Sequence, residues 1–432
     1  MTEFILRGRL LDFTRKPEGP EDTTAHRYVE DGALLIRDGK IVARGDYANI
    51  AQEGVEVVDH RPHLILPGFI DTHLHFPQVQ VIGSWGAQLL DWLNTYTFPA
   101  ELAFADADHA REMATAFFDL LTAHGTTTPV AFCSVHPVSA EAYFTEAARR
   151  DMAVIGGKVM MDRNAPDGLT DTPERGYDET KALIEKWHGK GRAEVAITPR
   201  FAITSTPAQL KAAGALAQEF PDCPIQTHLS ENHDEIAFTA ELYPEARDYF
   251  DIYQRYGLAG PKSLFGHAIH LTDRERSAIA ETDSVAVFCP TSNLFLGSGL
   301  FDRDGLEGAG VRTAIATDIG GGTSYSMLRT MDEGYKVLQL NGQKLHPFES
   351  YYWSTRGNAE ALGKLSEIGT LEVGSAADVV VLDAAATPAM ALRMAAAETL
   401  AEELFILQTL GDDRAVAQTY VAGTAQKNVS VG

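Results

Sequence analysis

Leu64-Ile65-Leu66-Pro67-Gly68-Phe69-Ile70-Asp71-Thr72-His73-Leu74-His75 is the stretch from which the fold is read. It is an apolar run of strand length that closes on two imidazoles, His73 and His75. In an extended strand, residues i and i+2 face the same side, so both rings address one point from one strand end. Seven more such runs follow, at 126–133, 154–160, 194–201, 225–229, 263–270, 285–289 and 313–317. Helix-period stretches lie between them, among them 106–124, 178–188, 207–219 and 326–341. Continuously apolar strands alternating with helices describe a parallel sheet covered by helices. Eight units over about 300 residues predict an α/β chain folded as a (β/α)8 TIM-type barrel with insertions. A doubly wound open sheet is the alternative.

The chain ends read differently. Residues 4–13 are apolar-rich, 32–47 form two strands around Asp38-Gly39, and 377–382 and 416–422 are strands again. Strands at both termini predict a small β-sandwich domain built from 1–66 and 375–432, with the catalytic barrel at 67–374. The Ala-rich segment 384–404 reads as a helix broken near Pro388. No internal repeat or low-complexity tract is visible.

The 432 residues carry 36 Lys+Arg against 60 Asp+Glu, a formal charge of −24. Nucleic acid and anionic membranes need a basic surface, so neither is expected as a partner. Hydrophobic residues at 45% and charged residues at 22% are ordinary globular usage. Cys133, Cys223 and Cys289 are widely spaced and odd in number, the pattern of small buried residues in a reducing compartment. Neither a secretory leader nor a run of 18 apolar residues is present, and a cytoplasmic protein is expected.

A barrel enzyme carries its site at the carboxyl ends of its strands. Four of the predicted strands end in reactive groups: His73 and His75; His228, followed by Glu231; His267, followed by His270; and Asp318, ahead of Gly320-Gly321-Gly322. Together they offer three or four N/O ligands around one point, which suits zinc or iron(II) and suits calcium poorly. A metal with an open position lowers the pKa of its water from 15.7 to about 7. Glu231 and Asp318 are the candidates to manage protons. Asp71, on the same strand face, reads as a hydrogen-bonding support, and His270 likewise. No Walker loop, dinucleotide fingerprint or Gly-x-Ser-x-Gly elbow competes. The fourth strand lacks a lysine that could bridge two ions, and Lys158, one strand earlier, reads as structural or surface. A single metal is expected. The Gly320–Gly322 run reads as a turn allowing close backbone approach.

PGFIDTHLH, HLSEN, GHAIHL and the Thr317-Asp318 before the glycines resemble the amidohydrolase superfamily. HFPQ (75–78), DWLNTYTFP (91–99), KVMMDRNAPD (158–167), TPRF (198–201) and FCPTSNLFLGSGL (288–300) resemble, within it, the guanine deaminase family in its bacterial form, over essentially the whole length. The resemblance implies one zinc ion per subunit, iron being possible, held by His73, His75, His228 and Asp318. It implies catalytic roles for Glu231, His267 and Asp318: Glu231 shuttling protons to ring and leaving amine, His267 orienting the attacked centre, Asp318 taking the first proton. Gln78 and Arg200 would hydrogen-bond the purine base and Phe201 would wall it, with His75, His228, Glu231 and Asp318 also touching it. The implied reaction is hydrolysis of guanine to xanthine and ammonia, in purine breakdown, by a homodimer. Another aminated heterocycle, a pterin or a triazine, is the alternative substrate, and a non-catalytic scaffold the alternative of another class. Trp92 and Tyr96 read as lid or dimer contacts, and the remaining histidines as surface or packing groups.

Overall fold

The computed structural model describes residues 3–86 and 88–427. Strands β1 (Glu3–Phe13), β2 (His26–Arg37), β3 (Lys40–Asp46) and β4 (Glu56–Pro67) open the chain. Asp38 and Gly39 turn β2 into β3 with φ of 49° and 78°, the left-handed pair that a tight hairpin needs. The run 64–75 is two strands, not one. Leu64–Pro67 finish β4, and β5 (Phe69–His75) starts after Gly68. The hydrogen bonds divide there: Gly68 N donates to Asp378 O at 2.9 Å, toward the chain end, and Phe69 N to Gly125 O at 3.0 Å, toward the next strand.

β6 (Thr126–Phe132), β7 (Val154–Gly157), β8 (Val159–Met160), β9 (Ala193–Val195), β10 (Thr198–Pro199), β11 (Ile225–Leu229), β12 (Ser263–His267), β13 (Val285–Phe288) and β14 (Arg312–Ile315) follow. The expected strands 154–160 and 194–201 are each interrupted, giving β7/β8 and β9/β10. All pairings among these strands are parallel, in arcs β5-β6-β7-β9 and β11-β12-β13-β14 with β8 beside β10. The arcs join at both ends. Ile197 pairs with Ile225, and Gln226 N donates to Ile197 O at 3.1 Å. Across the other seam Asp318 N donates to His73 O at 2.9 Å and Thr72 Oγ1 to Ile315 O at 3.1 Å. The ring is the expected eight-fold barrel. Its helices start at side-chain caps: Asp106, Thr172, Thr206, Thr272 and Ser326 each accept from a first-turn N–H. The Thr172 cap with Pro173 starts its helix five residues before the expected 178.

β15 (Val379–Leu382), β16 (Val416–Val421) and β17 (Thr424–Ala425) complete a seven-stranded sheet in the order β17-β16-β15-β4-β1-β2-β3. The expected sandwich is made from this one sheet rolled back on itself: Ile41 N donates to Ser375 O at 3.0 Å and Ala377 N to Gly39 O at 2.8 Å, tying the β3 edge to the run into β15. Along β15, Val379 and Val381 face the sheet's own core with Leu6, Leu34 and Ile65, while Val380 and Leu382 join the core shared with the barrel. Burial on both faces explains why that strand is uninterruptedly apolar.

The Ala-rich segment is two helices, Pro388–Met394 and Leu400–Leu410. Pro388 does not break a helix but starts one, at N1 after the Thr387 cap; the break lies ahead of Thr399, whose capping box with Glu402 begins the second. All three cysteines are buried and free. Among the described residues no helix is long and apolar enough to cross a membrane.

Candidate active site

The barrel strands bring the expected metal-ligating residues together. His73 and His75, from β5, lie with their Nε2 atoms 3.4 and 3.3 Å from Asp318 Oδ1, beyond β14. His75 Nε2 is 3.1 Å from His228 Nε2 at the end of β11. Zinc bonds of about 2.0–2.1 Å in a tetrahedron set ligand atoms roughly 3.3 Å apart, so these separations fit one cation. The chemistry of the donors fits as well. His228 Nδ1 lies 2.7 Å from the Arg200 carbonyl, which only accepts, so Nδ1 carries the ring proton and Nε2 presents a lone pair. Burial, then repulsion from the neighbouring rings, holds His228 well below the usual imidazole range. Burial lowers His75 too. Among the described residues neither ring nitrogen of fully buried His73 makes a hydrogen bond, a costly state that a bound cation relieves. Burial works against ionised Asp318, yet the His73 and His75 nitrogens keep its carboxyl well below the usual range. Cys289 also lies within reach of His73, His267 and Asp318. Burial pushes its thiol far up, which keeps it protonated and a poor ligand.

His267 differs from the other rings. The Asn293 amide nitrogen meets its Nδ1 at 2.9 Å, which puts the ring proton on Nε2. That atom faces Glu231 Oε2 at 3.3 Å and Asp318 Oδ2 at 3.8 Å. Burial carries the His267 pKa down to about 3. Burial, then the negative charge of Asp318, raises Glu231 well above the usual carboxyl range, which favours its protonated form. Ser298 Oγ donates to Glu231 Oε1 at 3.1 Å, and half-buried His270 donates from Nε2 to the Ser298 carbonyl at 2.7 Å. Ser230, His267 and Asp318 have φ of 50°, 69° and 54°. Left-handed backbone at non-glycine residues costs about 1–3 kcal/mol each and persists where surroundings over-determine it. Here it turns three strand ends toward one centre. Asp71 supports the same centre: it accepts from Thr317 N at 3.1 Å and Thr317 Oγ1 at 2.5 Å, pinning β5 to the chain that carries Asp318.

Beside this cluster is a small cavity lined by His75, Gln78, Arg200, Phe201, His228, Glu231, His267 and Asp318. Leu89, Trp92, Leu93 and Leu296 add apolar wall. Trp92 is buried in the cavity wall; its Nε1 donates to Ser84 O at 3.2 Å. Gln78 is buried, with Oε1 accepting from Gly320 N at 3.1 Å. Gly320 is glycine for this reason, since a Cβ there would lie 2.8 Å from Gln78 O. Likewise a Cβ on Gly266 would meet the His73 ring at 2.5 Å. The residues expected at the site line this one cavity except His73, which lies behind it, 3.4 Å from Asp318. Sequence reasoning missed Glu101, Asn293 and Ser298. The last two lie in the 288–300 stretch whose distinctiveness was a signal without an assigned role. Glu101 follows the distinctive stretch 91–99 by two residues.

The chain matches the amidohydrolase family over residues 64–425. It is 47% identical to the guanine deaminase of Escherichia coli K12, across 97% of this chain and 96% of that protein. The solved structure of E. coli guanine deaminase aligns with a TM-score of 0.95 at 46% identity, covering 98% of this chain and 99% of that one. A guanine deaminase from C. acetobutylicum, solved with guanine in its active site, aligns at 0.87 with 29% identity, covering 98% and 99%. With the barrel, the rolled terminal sheet and the converging strand ends, these likenesses place the chain in the amidohydrolase family, among its guanine deaminases.

Proposed function

We propose that this enzyme hydrolyses guanine to xanthine and ammonia with one zinc ion per subunit, held by His73, His75, His228 and Asp318. The observation that carries the reading is the meeting, at one cavity, of this donor set with a planar guanidinium, a fixed amide and a carboxyl whose protonated form burial favours. The relatives named above support guanine as the base. Three imidazoles and a carboxylate also accept iron(II), and zinc is the proposal. When bound, the ion lowers the pKa of a water to about 7, so hydroxide is available at neutral pH.

The chain's own residues do the rest. Arg200 gives Nη1 to Glu101, leaving Nε and Nη2 to donate to the base carbonyl. Gln78 keeps one amide N–H for the base, and Phe201 with the leucines and Trp92 walls its faces. Asp318 takes a proton from the attacking water at its carboxylate. Glu231 gives a proton to the ring nitrogen beside the attacked carbon and receives in its place the water proton that Asp318 took. The remaining water proton reaches the amine, which leaves as ammonia. His267 Nε2–H, aimed at both carboxylates, orients them and the attacked centre.

The division into 1–66 with 375–432 and 67–374 is part of the proposal, supported by the change of bonding partners at Gly68. So are a homodimer, on the family resemblance, and a cytoplasmic site, supported by three free buried thiols. The test is purified protein incubated with guanine. One ammonia per guanine consumed and about one zinc per chain by elemental analysis are expected. Metal-loaded protein that leaves guanine intact overturns the reading.

A further inference from the structure

Glu101 is on no barrel strand. It sits in the short helix Phe98–Leu102, after β5, yet it is 1% exposed. Both of its oxygens accept from Arg200 Nη1, at 2.9 and 2.7 Å, and Oε1 also accepts from Gln78 Nε2 at 3.0 Å. Arg200 is 3% exposed, so this pair is desolvated. Two consequences follow for whatever enters the cavity. First, the arginine meets a ligand with its charge already matched by a carboxylate. Removing one member of such a pair leaves the other as an unmatched buried charge. Second, the Gln78 amide has one orientation. Reversed, its nitrogen would face the Gly320 N–H and its oxygen the Glu101 carboxylate, two repulsive contacts in place of two hydrogen bonds.

We propose that Glu101 is a positioning residue that sets specificity: by neutralising Arg200 and locking the Gln78 amide, it makes the cavity accept an uncharged base with a carbonyl acceptor and turn away the same ring system when it is an anion. This rests on the base-deaminating reading above. It differs from a merely structural role, which would weaken every ligand alike.

The experiment compares the parent enzyme, Glu101→Gln and Glu101→Asp, with guanine as substrate and urate, an anionic purine at neutral pH, as competitive inhibitor. For Glu101→Gln, KM for guanine should rise roughly 30-fold or more while kcat moves far less, and the urate inhibition constant should fall about tenfold. Glu101→Asp, which keeps the charge, should retain the parent's order of preference. Guanine and urate weakened by similar factors in Glu101→Gln would overturn the inference. Should that variant not fold, the parent decides: hypoxanthine, neutral and carbonyl-bearing, should bind more tightly than urate by calorimetry, and equal or tighter urate binding overturns the proposal. A parent that binds by this rule but deaminates no guanine would sink the functional reading and leave the charge rule standing.

Discussion

Two buried ion pairs lie near β7–β10 and differ in what they leave over. Lys158, between β7 and β8, is fully buried; its Nζ donates to Asp171 Oδ2 at 2.6 Å and Val159 O at 3.3 Å and lies 3.3 Å from Glu179. Asp171 also accepts from Met161 N at 3.3 Å and Gln209 Nε2 at 2.8 Å. This pair is closed, with protein groups filling its valences. Arg200–Glu101 is as deeply buried, but the guanidinium keeps donors toward a cavity. The same contrast recurs four residues apart, between Glu231 and Glu235. Glu231 accepts from Ser298 on one oxygen and turns the other to the His267 ring beside the cavity, whereas Glu235 takes the Glu231 and Asn232 N–H groups and the Tyr249 hydroxyl. Burial and charge therefore do not mark a site. An unfilled valence facing a cavity does.

That contrast can be broken, and the largest effects belong to the open groups. Dialysis against a strong chelator should abolish turnover and lower the thermal unfolding midpoint, both restored by zinc, because an ion bound only by the folded state stabilises it. Activity and midpoint that survive measured metal loss would empty the His73 cluster of its meaning. Glu231→Gln should cut kcat by roughly 10²–10⁴-fold, the range of a lost general acid–base, with the unfolding midpoint nearly unmoved. Lys158→Met should do the reverse. It strands the Asp171 carboxylate, costing about 3–5 kcal/mol in denaturant unfolding, with kcat/KM per folded molecule kept. A Lys158→Met enzyme that folds well but turns over poorly would erase the line between closed and open pairs.

How much of this was legible follows from what each residue's neighbours in sequence can report. Barrel strands covered on both faces read as plain apolar runs, so the eight-fold alternation was visible, and the candidate ligands stand at or just beyond the ends of those strands. His73 and His75 declare a shared face by spacing alone. Glu101 declares nothing: its partners Gln78 and Arg200 are 23 and 99 residues away, and its helix of five residues is too short for a periodic signal. The left-handed turns at His267 and Asp318 carry no glycine to announce them. The closure of β3 onto residue 375 joins positions more than 300 apart, beyond any local pattern. Thr387-Pro388 was legible as a cap followed by N1, and reading the proline as a break gave it the wrong end of the helix.

The smallest effect separates Glu231 from Glu235. Burial raises the Glu235 carboxyl from 4.5 to about 7, against the Tyr249 hydroxyl and two backbone N–H groups that favour its ionised form. The folded chain thus binds this proton more tightly than the unfolded chain. Its stabilising contribution is complete below pH 4.5 and is lost as pH rises through 7. The loss amounts to about 3 kcal/mol across that window. Glu235→Gln keeps an oxygen for the Glu231 and Asn232 N–H groups and removes the titration. Relative to the variant, the parent's unfolding free energy should therefore fall as pH rises from 4.5 to 7, while kcat at neutral pH stays close to the parent's. Parallel pH profiles would mean that Glu235 is ionised throughout, and a collapse of kcat would mean that it serves the reaction and is not closed at all.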